Sequence, residues 1–134
     1  MIGIDSNVLV RYITQDDPAQ ARVATDFLEK HLSAEDPGFI PGVVLAELIW
    51  VLEDLYSVKK AELLDIVEKL SRARQLIFEH ADVVPRALHT YRSASCGLVD
   101  CLIAEIAASE GCEHVVTFDR KAARSSGFRT VTRL

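Results

Sequence analysis

The sequence predicts an α/β fold built on a small, mainly parallel sheet covered by helices on both faces. Three observations lead there. Short apolar runs of strand length alternate along the chain with stretches of helical period. Two of those runs end on an aspartate, Asp5 and Asp119, and sites in such folds form outside the carboxyl ends of the strands. The 134 residues, 49% hydrophobic and 26% charged, suffice to bury about two-thirds of the unfolded surface, so a single domain over 1–134 is expected.

Each element follows from local signals. Met1 to Asp5 reads as a short buried strand ending in an acid. Ser6 to Thr14 carries Val8, Leu9, Tyr12 and Ile13 as a helical stripe, and Asp16-Asp17-Pro18 opens a second helix through about Leu32, with proline in its first turn. Pro37 to Pro41 is a brief extended segment between breakers. Val43 to Tyr56 is a long helix charged only at Glu47, Glu53 and Asp54, with a first half apolar all round that is expected to be buried on several sides. Lys59 to Arg74 places Leu63, Leu64, Val67 and Leu70 on one face of a surface helix. Leu76 to Glu79 reads as a strand and Val83 to Ala94 as a helix with Pro85 in its first turn. Gly97 to Ser109 is helical, apolar except for Asp100 and Glu105, and stops at Gly111 before the strand His114 to Phe118. A short basic helix, Lys121 to Ser126, leads to a last strand near Arg129 to Thr132.

Composition excludes several classes. No apolar run approaches the roughly eighteen residues needed to cross a bilayer, and the start lacks the basic region of a signal peptide, so a soluble cytoplasmic protein with no membrane partner is expected. Cys96, Cys101 and Cys112 lack the paired spacing of a zinc site and read as small buried hydrophobes. The four histidines share no spacing that suggests ligation. The formal net charge of −5 divides into −7 over residues 1–67 and +2 over the rest, with Arg120, Lys121, Arg124, Arg129 and Arg133 near the end. No helix carries the dense basic face of a sequence-specific DNA-binding protein.

Four acids stand in apolar company: Asp5, Glu47, Asp100 and Asp119. An unpaired carboxylate loses hydration on burial, so something should compensate each one. Taken singly, Asp5 and Asp119 serve as helix caps, Asp100 as a first-turn acid favoured by the helix dipole, and Glu47 as the partner of an arginine. Taken together, they occupy positions that an α/β fold brings to one edge of its sheet, and a divalent cation would neutralise them. Hard ions such as Mg²⁺ and Mn²⁺ take oxygen ligands and serve phosphodiester cleavage by acidifying water and stabilising charge on phosphate.

These residues resemble a family. Ile4-Asp5-Ser6-Asn7-Val8-Leu9-Val10-Arg11-Tyr12 resembles the opening of PIN-domain ribonucleases of the VapC toxin type; Asp100-Cys101-Leu102-Ile103-Ala104 is similar to their second acidic motif and Thr117-Phe118-Asp119-Arg120 to their third. Pro41 to Leu48 is similar to the segment bearing the family's glutamate. The resemblance implies a three-layer α/β/α sandwich and a Mg²⁺- or Mn²⁺-dependent endoribonuclease, the toxin of a type II toxin–antitoxin pair. It implies Asp5, Glu47, Asp100 and Asp119 as catalytic metal ligands, supported by Ser6, Asn7 and Thr117, with Arg120 and Lys121 as candidate contacts to RNA phosphate. It further implies an RNA substrate, a homodimer and a cognate antitoxin that covers the acidic site. The sequence departs at Gly97, where many relatives carry a further aspartate, which points to one-metal chemistry.

Two other functions fit the same fold class. A Mg²⁺-dependent phosphate-transfer protein is disfavoured because Asp5-Ser6-Asn7 lacks a second acid and no glycine-rich phosphate loop is present. A catalytically silent PIN-fold binding module predicts a missing ligand, and all four acids are present.

Overall fold

A computed structural model describes residues 1–131; Thr132 of the expected last strand and Arg133 of the basic segment lie outside the described residues. The chain divides into two compact units, Met1–Ala81 and Asp82–Leu134.

In the first unit, strand β1 (Ile2–Gly3) is followed by helix α1 (Ser6–Thr14) and helix α2 (Pro18–Asp26). Both helices start at aspartates. Asp5 Oδ1 accepts from Ser6 N at 2.8 Å, and Asp17 Oδ1 accepts from Gln20 N at 3.1 Å with Pro18 in the first turn. The expected continuation of α2 to Leu32 is a π-helical turn, Phe27–His31, closed by Leu32 N donating to Phe27 O at 3.1 Å.

Strand β2 (Gly38–Ile40), helix α3 (Gly42–Asp54), helix α4 (Lys60–Arg72) and strand β3 (Leu76–Phe78) complete the unit. The strands form one parallel sheet in the order β1-β2-β3, with Ile2 opposite Gly38 and Gly38 opposite Leu76. Ile4 N still donates to Phe39 O at 2.9 Å, so the chain leaves the sheet edge directly into Asp5. Gly38 sits where a Cβ would lie 2.3 Å from Ile4 Cδ1 and 2.8 Å from Leu32 Cδ1; any larger residue there would displace core side chains. Leu9, Leu28, Ile40, Leu48, Ile49, Leu52, Leu63 and Val67 are fully buried.

The packing of α3 differs from expectation. Leu45, Leu48, Ile49 and Leu52 are buried, but Val43 and Trp50 are 79% and 55% exposed, so the helix is covered on one side. Its N-terminus has no local side-chain cap; Glu79, just beyond β3, accepts from Gly42 N at 2.7 Å instead.

The second unit contains helix α5 (Val83–Ser93), helix α6 (Leu98–Ser109), strand β4 (Val115–Thr117), the single-turn helix α7 (Arg120–Ala123) and strand β5 (Phe128–Thr130). Strands β4 and β5 pair in parallel, Val115 opposite Phe128 and Thr117 opposite Thr130. Every ladder in the described residues is therefore parallel, as the alternation of elements requires. Helix α5 packs on α6 and buries Val84, Ala87, Leu88 and Tyr91, and Arg86 Nε reaches Glu105 Oε2 at 3.3 Å. The turn that follows α6 carries Gly111, whose φ of +91° is a conformation glycine adopts without strain. Cys96 and Cys101 are buried, but Cys112, in the turn after Gly111, is exposed, contrary to the expectation of three buried thiols. Among the described residues, no helix is long and apolar enough to cross a membrane.

Candidate functional site

Strand ends place two of the four acids. Asp5 lies two residues past β1 and Asp119 two residues past β4, and each caps the helix that follows. Asp119 Oδ1 accepts from Lys121 N at 2.9 Å and Ala122 N at 3.2 Å, while Asp119 N donates to Thr117 Oγ1 at 3.0 Å. The short polar side chain satisfies backbone donors that a helix start leaves open. Capping occupies one oxygen of each carboxylate and leaves the other without a protein donor among the described residues.

In the first unit, Ser6 joins two acids. Its backbone N–H donates to Asp5, and its buried hydroxyl donates to Glu47 Oε1 in a short hydrogen bond. Glu47 lies on the exposed stripe of α3 between Val43 and Trp50, which recur with it at helical spacing. Glu47 therefore pairs with a serine hydroxyl, not with an arginine. Asn7 is exposed beside Asp5.

In the second unit, Asp100 occupies the first turn of α6, where the dipole favours an anion, and is half-buried. Gly97 is the residue that starts this helix; a Cβ there would come no nearer to Asp100 Oδ2 than 4.0 Å. Arg120 and Lys121 are exposed on α7.

The structure corrects one expectation about these acids. Asp5, Glu47 and Asp119 are exposed, so water already hydrates them and the desolvation cost inferred from their apolar sequence neighbours is not incurred. Strand ends and helix starts point charge outward even when the flanking residues are buried. Among the described residues, none of the four forms an ion pair with Lys, Arg or His, and each retains a carboxylate oxygen without a protein donor. These are hard oxygen donors of the kind that Mg²⁺ and Mn²⁺ prefer, so the donor chemistry fits such an ion. No group of three or more His, Cys, Asp and Glu side chains among the described residues is arranged to hold a metal ion.

Alongside Asp5 opens a cavity of about 910 Å³ between α1 and α2. Asp5, Asn7, Arg11 and Gln20 supply its polar lining, and Val8, Val23 and Phe27 part of its apolar wall. Arg11 was not among the expected site residues. Its signal in the sequence is a lone cation within the apolar run Val8 to Ile13, six residues after Asp5 and on the helix that Asp5 caps.

Comparison with known proteins identifies the family. A sequence profile of the PIN domain matches residues 2–127, a span that takes in all four acids. The chain is also similar to a VapC ribonuclease of Aquifex aeolicus (strain VF5), with 24% identity over 128 residues that cover 96% of this chain and 93% of the relative.

Proposed function

The chain belongs to the PIN domain family, and from that premise we propose that it is a Mg²⁺- or Mn²⁺-dependent endoribonuclease, the toxin of a type II toxin–antitoxin pair. The observation that carries this reading is the Asp5, Ser6 and Glu47 arrangement: two exposed carboxylates, tied through one serine, each with an oxygen free to bind a cation. Similarity to a VapC ribonuclease over nearly the whole chain supports RNA as the substrate.

Asp5, Glu47, Asp100 and Asp119 are the ligands and the catalytic residues in this proposal. When bound, the ion supplies positive charge that acidifies the attacking water and stabilises charge building on the phosphate. The protein's own part is orientation. Ser6 holds Asp5 by its N–H and Glu47 by its hydroxyl, and the N–H groups of Lys121 and Ala122 hold Asp119. Thr117 fixes the backbone of Asp119 by accepting its N–H. Such supporting contacts are worth about 10- to 100-fold in metal affinity. The amide of Asn7 orients groups beside Asp5, and Arg120 and Lys121, both exposed, contact RNA phosphate. With Gly97 lacking a carboxylate, one ion suffices. The protein acts in the cytoplasm as a homodimer and is held inactive by a cognate antitoxin.

The test is RNA cleavage by purified, antitoxin-free protein with Mg²⁺ or Mn²⁺, with EDTA, and with Asp100→Asn in parallel. The expected result is metal-dependent cleavage lost in the variant, whose circular dichroism and melt match those of the parent. Cleavage that survives EDTA, or wild-type activity in Asp100→Asn, overturns the ligand assignment.

A further inference from the structure

The cavity between α1 and α2 joins an acid of the proposed site to a single fixed cation. Arg11 Nη1 donates to Asp16 Oδ1 at 2.9 Å and Arg11 Nε to Gln20 Oε1 at 2.8 Å. Asp16 is itself anchored, its Oδ1 accepting from Thr14 Oγ1 at 2.8 Å and its Oδ2 from Tyr56 OH at 2.5 Å. Two of the five guanidinium N–H donors are thus used, and three have no protein acceptor among the described residues. The side chain is 33% exposed and lines the cavity together with Asp5.

An arginine held in one rotamer but left with free donors is suited to binding an anion. The ordering entropy is already spent, and its planar donor edge matches phosphate oxygens. Helical rise separates Arg11 from Asp5 by roughly 9 Å along α1, too far to share one phosphate and suitable for the next one along a strand. Val8, Val23 and Phe27 between them present an apolar surface on which a base can rest. The cavity volume of about 910 Å³ is ample for such a unit.

We propose that this cavity is a subsite for single-stranded RNA, in which Arg11 binds the phosphate next to the one cleaved and the wall formed by Val8, Val23 and Phe27 receives the intervening nucleotide. The inference rests on the ribonuclease reading above and adds to it a binding residue and a direction: the strand runs from Asp5 along α1 toward α2.

The experiment measures the affinity of a fluorescein-labelled single-stranded RNA as a function of salt, by anisotropy, in the Asp100→Asn background to suppress cleavage. Each phosphate contact contributes about 0.7 to the slope of log affinity against log salt. Arg11→Gln should lower the slope by that amount, so that a fourfold rise in salt weakens the parent about 2.6-fold more than the variant. Arg11→Lys keeps the charge while losing the fork to Asp16 and Gln20, and should retain most of the parent slope; a merely structural arginine would make the two variants alike. Val23→Glu, at a side chain 70% exposed, leaves packing intact and adds a negative charge to the cavity wall, and should weaken binding at low salt. Parental slope and affinity in both Arg11→Gln and Val23→Glu overturn the subsite alone and leave the cavity as a surface for a protein segment. Failure of the parent itself to bind or cleave RNA overturns the ribonuclease reading and the subsite with it.

Discussion

Removing one hydroxyl separates the chemistry of the site from its stability. Ser6 is 7% exposed and its hydroxyl donates to Glu47, an exposed carboxylate on α3. Hydrogen bonds to charged groups contribute about 1.5–3 kcal/mol, but Glu47 regains water when the serine hydroxyl is lost, which brings the cost of Ser6→Ala down to about 1 kcal/mol. For a chain of 134 residues, an unfolding entropy of about 2.1 cal/mol/K per residue converts this into a fall in Tm of about 4 °C. The N–H that holds Asp5 belongs to the backbone and survives the substitution. Glu47, however, loses the contact that fixes its rotamer, and apparent Mg²⁺ affinity should fall about 10- to 100-fold. The assay is the initial rate of RNA cleavage titrated with Mg²⁺, paired with a thermal melt of each protein. A half-saturating Mg²⁺ concentration unchanged from wild type, with the expected small drop in Tm, would refute the positioning role of Ser6. A collapse of Tm far beyond a few degrees would show the hydroxyl to be a structural requirement instead.

Other outcomes follow from the same contacts. Mg²⁺ or Mn²⁺ at a hundred times its Kd should stabilise the fold by about 2.7 kcal/mol and raise Tm by roughly 10 °C, and an unchanged melt would count against a metal site. Asp16 has its pKa lowered to about 2, first by the hydrogen bond from Tyr56 and then by those from Thr14 and Arg11. A folded pKa below the ordinary 3.8 means that its ionised form contributes stability in full above about pH 4, and that this contribution is lost as pH falls toward 2. Tyr56→Phe should move the Asp16 titration up toward its ordinary range, measurable by NMR of the carboxyl carbon, and narrow the stability difference from wild type as pH falls through that window. Identical titrations in the two proteins would remove Tyr56 as the cause.

Much of the fold was legible because its signals are local. Asp5, Asp17 and Asp119 each sit one to three residues from the backbone N–H they cap, so a single short segment encodes a helix start. The parallel ladders follow from apolar triplets such as Leu76–Phe78 and Val115–Thr117 set between helical stripes. The four acids stood out because each interrupts an apolar run. Their exposure was not legible. An aspartate after Ile2-Gly3-Ile4 looks buried from its neighbours, yet it leaves the sheet edge one residue after the last ladder bond. The outward face of α3 was hidden for a related reason: a helix apolar all round does not announce which side its neighbours cover, and Val43 and Trp50 fell on the open side with Glu47.

By itself the sequence determined the order of elements, the aspartate caps of α1, α2 and α7, the parallel pairing and the four acids whose surrounding motifs resemble those of the family. These depend on dihedral preference, hydrophobic period and side chains within a turn of the groups they bind. Only tertiary structure decided the partners. Ser6 meets Glu47 across 41 residues, Asp16 meets Tyr56 across 40, and Glu79 reaches the start of α3 across 37. Such contacts depend on how helices settle against a sheet once the core is packed. No spacing in the chain encodes them, because the same apolar face can be buried in several orientations and only the lowest in free energy brings those groups within hydrogen-bonding distance.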